Sequence, residues 1–163
     1  MPNSQLQIRA AKHQEAVLVQ RLNDGCGLGN WPAADYAAAT RLHDFALRVA
    51  VYEGALVGFY LARLVGTDLE LLKLAVEPSL RRQGIASGLL ASCLDWGRRS
   101  MCEACYLEVR KSNVPAIRLY ERHGFHTIGT RRHYYQDPVE DALVMTSDLD
   151  VESSMASVLG GIP

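Results

Sequence analysis

The chain has 163 residues, a formal net charge of −1 and 48% hydrophobic residues. This composition predicts one folded domain and excludes a disordered chain or a strongly basic nucleic-acid-binding protein. The longest apolar stretch, residues 55–65, is too short to span a membrane and contains Arg63. The sequence opens with no basic-then-apolar signal, so we expect a cytoplasmic protein that binds neither membrane nor nucleic acid.

The first half of the chain predicts two helices and an antiparallel meander of three strands. In the first helix Ala16, Val17, Val19 and Leu22 fall close to one face. The second helix has Pro32 near its start. Tight turns separate the meander strands. The predicted elements are a strand at residues 6–9, helices at 12–22 and 31–42, and strands at 47–52, 55–64 and 69–76.

The second half predicts two more helices, a short strand and a closing hairpin. Asn113 is expected to cap the last helix and Gly124 to end it. The predicted elements are a helix at residues 82–98, a strand at 104–109, a helix at 113–123 and hairpin strands at 125–135 and 142–149. The apolar residues expected to face inward from the helix at 82–98 are Ile85, Leu89, Leu90, Cys93, Leu94 and Trp96. The order of elements indicates an α+β domain over residues 1–150, with a flexible tail at 151–163.

Residues 74–90 join an apolar strand end, a turn, a basic loop with a glycine and the start of an amphipathic helix. A helix start offers backbone N–H groups without intrahelical partners and about half a positive charge. A glycine lets an anion approach the backbone closely. The segment therefore predicts a pyrophosphate site, although neither the Walker pattern nor the dinucleotide pattern is present. An ordinary glycine-containing loop before a helix is the alternative.

Several blocks of sequence resemble the GNAT N-acetyltransferase family. Arg81-x-x-Gly84-x-Ala86 is similar to its [Q/R]-x-x-G-x-[G/A] signature, and residues 107–125 are similar to its following strand, loop and helix. The segments R-R-H-Y-Y at 131–135 and E-D-A-L-V-M at 140–145 resemble the RimI branch, which acetylates the N-terminal alanine of a small-subunit ribosomal protein. The resemblance covers residues 70–146; His133 stands where the branch has Asn, and residues 30–33 lack its F-P-W-S motif.

The resemblance implies the GNAT fold, which is a mixed and mostly antiparallel central sheet flanked by helices. It also implies acetyl-coenzyme A (acetyl-CoA) as cosubstrate, with its pyrophosphate on the basic loop and its pantetheine arm along the preceding strand. The residues expected to contact acetyl-CoA are Leu74, Ala75, Val76, Arg81, Arg82, Gln83, Gly84, Ile85, Ala86, Ser87 and Asn113. Asn113 also has a complete explanation as a helix cap.

Glu108 is a carboxylate inside the apolar strand Tyr106-Leu107-Glu108-Val109. Alternation places it on the face opposite Leu107 and Val109. Burying it costs on the order of several kcal/mol unless it is paired or open to water. One interpretation is a salt bridge with Arg110 or another arginine. The other, implied by the resemblance, is a general base for an α-amine, whose pKa is about 7.7 to 8.0.

Three tyrosines are candidates for the reaction or the acceptor. The resemblance implies that Tyr120 protonates the leaving thiolate of coenzyme A; a core aromatic is the alternative. Tyr134 and Tyr135 are candidates for the walls of an acceptor-peptide site, with a place in the hairpin core as the alternative.

The four cysteines are few and unevenly spaced, which indicates reduced thiols rather than a disulfide framework. Cys102-x-x-Cys105 is followed by His123 and His126, but the histidine spacing does not fit a zinc finger. We therefore expect no metal.

Together with the resemblance, these features predict an enzyme that transfers acetyl directly from acetyl-CoA to the N-terminal alanine of a small-subunit ribosomal protein. One alternative is a small-amine acetyltransferase of the same fold. Another is a coenzyme A-binding regulatory module without turnover, against which the presence of both Glu108 and Tyr120 argues.

Overall fold

A computed structural model describes residues 6–149 of the chain. The predicted tail at residues 151–163 lies outside the described residues. The helices are α1 Ala16–Gly25, α2 Ala33–Ala39, α3 Ile85–Arg99 and α4 Val114–Arg122. The strands are β1 Gln7–Ala10, β2 Phe45–Tyr52, β3 Ala55–Val65, β4 Asp68–Val76, β5 Ala104–Arg110, β6 His126–Tyr135 and β7 Glu140–Asp148. Short 3-10 helices occupy His13–Glu15 and Pro78–Leu80.

The strands form one seven-stranded sheet in the order β1-β2-β3-β4-β5-β7-β6. The pairs β1–β2, β2–β3, β5–β7 and β6–β7 are antiparallel, and β4–β5 is parallel. The predicted α+β class, with a mixed and mostly antiparallel sheet, is confirmed. Among residues 6–149, no helix is long and apolar enough to cross a membrane.

The described chain divides into two compact units. The first unit contains the described residues up to Arg63 together with Leu71–Cys93, and the second contains Leu64–Glu70 together with the described residues from Leu94 onward. The core of the first unit consists of one face of α1, the inward residues of α2 and alternate residues of its strands. It comprises Ala16, Val19, Leu22, Tyr36, Ala39, Leu47, Val49, Phe59, Leu61 and Ala75.

Buried polar groups fix the loop between α1 and α2 in the first unit. The buried Tyr36 hydroxyl donates to Asn23 Oδ1 at 2.8 Å, and Asn23 Nδ2 donates to the Gly29 carbonyl at 2.8 Å. The ammonium of Lys73 donates to the Leu28 carbonyl. Burial lowers the pKa of Lys73 and raises that of Tyr36. These hydrogen bonds satisfy backbone carbonyls of a loop that has no regular secondary structure, and they fix its position.

Several predicted helix boundaries and one predicted helix face are wrong; the helix predicted at residues 31–42, for example, is the shorter Ala33–Ala39. The helix predicted at residues 82–98 begins at Ile85, because Arg82 and Gly84 have left-handed backbone with φ of 61° and 82°, which a right-handed helix excludes. The helix predicted at 12–22 begins at Ala16 after a 3-10 turn. Within it Val17 is 50% exposed, because the buried face follows the spacing of Ala16, Val19 and Leu22.

Gly58 of β3 provides a test of packing in the first unit. A Cβ there would lie 3.0 Å from the Ala75 carbonyl oxygen and 3.0 Å from Leu89 Cδ1. We expect Gly58→Ala to lower the free energy of unfolding by about 1 to 3 kcal/mol, because the added methyl group overpacks a site bounded by backbone. Gly129 of β6 has no neighbouring atom within 4 Å of a Cβ position, so Gly129→Ala is the matched control, with an expected change below about 0.5 kcal/mol. Urea denaturation measures both, and equal losses would contradict the packing argument.

Candidate active site

The basic loop, residues 81–84, connects the 3-10 helix Pro78–Leu80 to α3 in the first unit. The backbone is left-handed at Arg82 and Gly84, which flank Gln83. Left-handed residues in tight turns orient successive N–H groups toward one side, as in anion-binding nests. The next residues, Ile85, Ala86 and Ser87, form the first turn of α3, whose N–H groups have no intrahelical acceptors. The loop therefore has the backbone form of an anion site.

The loop also has room for an anion. A Cβ at Gly84 would have no atom within 4 Å, and the side chains of Arg82 and Gln83 are exposed. Open space beside a left-handed glycine, with a cationic side chain next to it, fits a phosphate group. The residues present are therefore compatible with the predicted pyrophosphate.

The side chain of Arg81 turns back toward the preceding strand. Its Nε donates to the Val76 carbonyl at 3.3 Å, and its Nη2 lies 3.7 Å from Cys26 Sγ. The thiol of Cys26 lies 3.6 Å from the same carbonyl. The structure thus brings together two predicted cofactor residues, Arg81 and Val76, with Cys26, which no sequence signal indicated. Of the other strand residues, Ala75 is buried and Leu74 is half-buried.

Glu108 lies on the polar face of β5 in the second unit. Leu107 and Val109 are buried, whereas Glu108 and Arg110 are only partly buried, so the predicted alternation is confirmed. The side chain of Glu108 is 20% exposed, and its Oε1 lies 3.0 Å from Arg131 Nε of β6. The salt-bridge partner is therefore a cross-strand arginine rather than Arg110. We call Glu108, Arg131, Tyr134 and Tyr135 the carboxylate cluster.

Tyr134 and Tyr135 extend the carboxylate cluster with two rings packed edge to face, with centroids 5.1 Å apart. Tyr134 is 47% exposed, so a place in the hairpin core is wrong for it, and Tyr135 is half-buried. Burial, followed by the charge of Glu108, raises the pKa of Tyr134. Burial and the neighbouring Tyr134 raise the pKa of Tyr135 to about 12. Both phenols are therefore neutral near pH 7.

Arg110 and Glu140 fix the β6–β7 hairpin to the end of β5. Arg110 Nη1 lies 3.3 Å from Glu140 Oε2, and the same guanidinium donates to the carbonyls of Gln136 and Pro138 at 3.1 Å. The Ser112 N–H donates to Glu140 Oε1 at 2.6 Å. Hydrogen bonding to the Ser112 side chain, followed by this backbone bond, lowers the pKa of Glu140. Arg110 also stacks 4.4 Å from the centre of the Tyr135 ring. These two residues support the tyrosine pair, a role that their sequence positions alone did not reveal.

Tyr120 and Asn113 both belong to α4. Tyr120 is 8% exposed, and its ring packs 5.7 Å from that of Phe125. The ring is therefore a core aromatic, and its proposed role as acid stays a prediction. Asn113 Oδ1 accepts a hydrogen bond from the Ala116 N–H at 3.3 Å, so its role as the N-cap is confirmed, while its contact with a cofactor stays a prediction.

No cysteine of the described chain forms a disulfide, and three of them, Cys93, Cys102 and Cys105, are buried. Burial, with the nearby Asp68 charge, raises the pKa of Cys102. Among residues 6–149, no group of three or more His, Cys, Asp or Glu side chains has the arrangement of a metal site.

Residues 17–125 match the family described as the acetyltransferase (GNAT) family, and the chain belongs to this family. The chain is 37% identical over 94 residues to the [ribosomal protein bS18]-alanine N-acetyltransferase of Escherichia coli, a match covering 56% of this chain and 64% of that protein. It is 31% identical over 155 residues to an N-alpha-acetyltransferase of Sulfurisphaera tokodaii, covering 87% and 92% of the two chains.

A solved structure gives the same picture of the fold. The crystal structure of the E. coli ribosomal-protein-S18-alanine N-acetyltransferase has a TM-score of 0.80 and 26% identity, covering 89% of this chain and 94% of that chain. The GNAT fold and the resemblance to RimI-type proteins are thereby confirmed. The sequence match to the E. coli relative spans just under two thirds of that relative's length.

Proposed function

We propose that the protein is an N-terminal α-amino acetyltransferase that uses acetyl-CoA to acetylate an N-terminal alanine of a small-subunit ribosomal protein. The observation that carries the proposal is the partly exposed carboxylate of Glu108, on the polar face of β5 beside two neutral tyrosines. A carboxylate with aromatic neighbours is suited to a cationic amine. The names of the E. coli and S. tokodaii relatives support the same acceptor chemistry.

In this proposal the basic loop binds the pyrophosphate of acetyl-CoA, and the backbone of Leu74, Ala75 and Val76 binds the pantetheine arm. Acetyl-CoA supplies the activated acetyl group as a thioester. The guanidinium of Arg82 is exposed and available to the phosphates, whereas that of Arg81 holds the end of β4 and its loop together. Arg81 then contributes mainly by fixing the loop.

In the proposed chemistry the acceptor nitrogen loses two protons while one C–N bond forms and one C–S bond breaks. Glu108 takes the first proton from the acceptor's ammonium, directly or through one water molecule, so that the neutral amine can attack the acetyl carbon. Tyr120 gives its phenolic proton to the thiolate that leaves, and the second proton of the nitrogen, released as the C–S bond breaks, restores the phenol of Tyr120. A phenol of pKa about 10 can serve here because the thiolate is a base of pKa near 8.5.

Two other functions fit the residues of this chain less well. An acetyltransferase for small amines would share the fold, but the segments at 131–135 and 140–145, which hold Arg131, Tyr134, Tyr135 and Glu140, resemble the protein-modifying branch. A coenzyme A-binding module without turnover would not require Glu108 and Tyr120 to be retained together.

An acceptor panel tests the proposal. Peptides beginning with alanine, serine or glycine are compared with an acetylated control peptide, spermidine, an aminoglycoside and a peptide whose only amine is a lysine side chain. We expect the alanine-first peptide, which copies a ribosomal N-terminus, to react best, because a small side chain allows the amine to reach about 3 to 3.5 Å from the thioester carbon. Mass spectrometry locates the acetyl group. A preference for spermidine, the aminoglycoside or the lysine ε-amine would refute the acceptor assignment.

The basic loop is tested by Gly84→Asp. An aspartate there adds a negative charge to the proposed phosphate site, so we expect the affinity for acetyl-CoA to fall by about tenfold to a hundredfold. Gly54→Asp is the matched control, because Gly54 lies in the turn between β2 and β3, has φ of 80° against 82° at Gly84, and is equally free of neighbouring atoms. Calorimetric titration measures both affinities. If folded Gly84→Asp and Gly54→Asp variants bound acetyl-CoA with equal affinity, the basic loop would not be part of the cofactor site.

The base and the acid are tested by Glu108→Gln and Tyr120→Phe. We expect Glu108→Gln to lower kcat by about a hundredfold or more. Raising the pH above the amine pKa of about 7.7 to 8.0 should restore part of the loss, because the acceptor then arrives neutral. Tyr120→Phe should lower kcat with little change in acetyl-CoA affinity. Glu103→Gln is the control, because Glu103 is an exposed carboxylate just before β5. If a stable Glu108→Gln or Tyr120→Phe variant kept the wild-type kcat, the substituted residue would have a structural role only.

A further inference from the structure

The carboxylate cluster already contains a cation. Arg131 Nε lies 3.0 Å from Glu108 Oε1, and its guanidinium carbon lies 5.7 Å from the centre of the Tyr134 ring. A carboxylate oxygen and an aromatic face are two groups with which proteins bind ammonium ions. The guanidinium of Arg131 therefore occupies a place with the chemistry of an amine-binding site.

Arg131 is held there more weakly than its neighbour Arg110. The side chain of Arg131 is 58% exposed, whereas that of Arg110 is 26% exposed and bonds Glu140 and two carbonyls as well as stacking on Tyr135. An ion pair in which one long side chain is mostly solvated contributes little stability. The arginine on Glu108 is thus the one that can leave its carboxylate without disturbing the hairpin.

The backbone next to Arg131 departs from regular strand geometry. The pairing of β6 with β7 shifts register between Arg131 and Tyr135, and His133 within that segment has φ of 51°. The His133 N–H donates to Asp141 Oδ1 at 2.9 Å, which fixes the irregular segment to β7. Bulges of this kind redirect side chains at the edges of sheets. Here the irregular segment separates Arg131 from Tyr134 along the chain, yet the guanidinium that pairs with Glu108 also lies 5.7 Å from the centre of the Tyr134 ring.

We propose that Arg131 is an internal competitor of the acceptor: its guanidinium pairs with Glu108 in the free enzyme and gives way to the α-ammonium of the incoming peptide. The inference rests on the function proposed above. Exchange of one cation for another keeps the partly buried carboxylate compensated in both states. No covalent bond changes in the exchange, and proton transfer to Glu108 follows it. An acetylated N-terminus carries no charge, so it leaves the Arg131 ion pair in place.

The kinetic test uses Arg131→Met, which removes the charge and keeps an unbranched side chain. Without the guanidinium that pairs with Glu108, the KM for an alanine-first peptide should fall by about two- to fivefold, the range expected for a partly exposed ion pair, while kcat changes less. Arg131→Lys retains a cation and should stay near the wild-type KM. Arg132→Met changes the net charge equally on the adjacent exposed residue and should leave KM unchanged. An unchanged or higher KM in Arg131→Met, or an equal fall in Arg132→Met, would overturn the proposal.

A binding test does not depend on turnover. Calorimetry in the presence of coenzyme A compares the alanine-first peptide with the same peptide acetylated at its N-terminus. Arg131→Met should increase the preference for the free amine by about two- to fivefold through tighter binding of that peptide alone. An unchanged preference refutes the competition. A wild-type protein that transfers acetyl to none of the acceptors refutes the proposed function instead, and the binding preference still decides the role of Arg131.

Discussion

A carboxylate in the middle of an apolar strand is the constraint around which the second unit is organised. Glu108 alternates with the buried Leu107 and Val109, so one face of β5 is hydrophobic and the other must compensate a charge. That compensation comes from β6, through the guanidinium of Arg131. The hairpin of β6 and β7 therefore supplies the counterion of Glu108 and also completes the sheet.

The hairpin needs its own support, because β6 is exposed along almost its whole length. Glu140 and Arg110 supply it by joining the hairpin turn to the end of β5. Charge-assisted bonds between elements fix the position of side chains where little apolar surface is buried. Tyr135 stacks on Arg110 and packs edge to face against Tyr134, so the support extends to the residues nearest Glu108.

Much of this arrangement could be predicted from the sequence. Period-two alternation identified the face of Glu108, and capping and glycine rules identified both ends of α4 at Asn113 and Gly124. The start of α3 could not be predicted, because left-handed backbone at a non-glycine residue such as Arg82 has no clear sequence signal. Val17 shows a similar limit: apolar character alone does not distinguish the buried face of α1 from its flank.

The partner of Glu108 shows a different kind of limit. Arg110 follows two residues later on the same face of β5, which made it the obvious candidate for a salt bridge. In the structure Arg110 forms a salt bridge with Glu140, and Glu108 forms one with Arg131. Cross-strand partners depend on the register of β5, β7 and β6 and on the shift that begins at Arg131. Register is a property of paired strands, so the sequence of one strand cannot specify it.

The needs of the fold and of the proposed reaction conflict at Glu108. Folding favours a carboxylate that is always paired, whereas a base must be accessible to a proton that arrives with the acceptor. A single exposed counterion satisfies both requirements. It compensates the charge of Glu108 in the free protein through a weak ion pair, and its side chain can move into solvent when the acceptor binds. Arg131 meets these conditions and Arg110 does not, since Arg110 also holds the hairpin turn. The two arginines therefore have different roles: Arg110 stabilises the hairpin, and in the proposed function Arg131 pairs with Glu108 only until the acceptor binds.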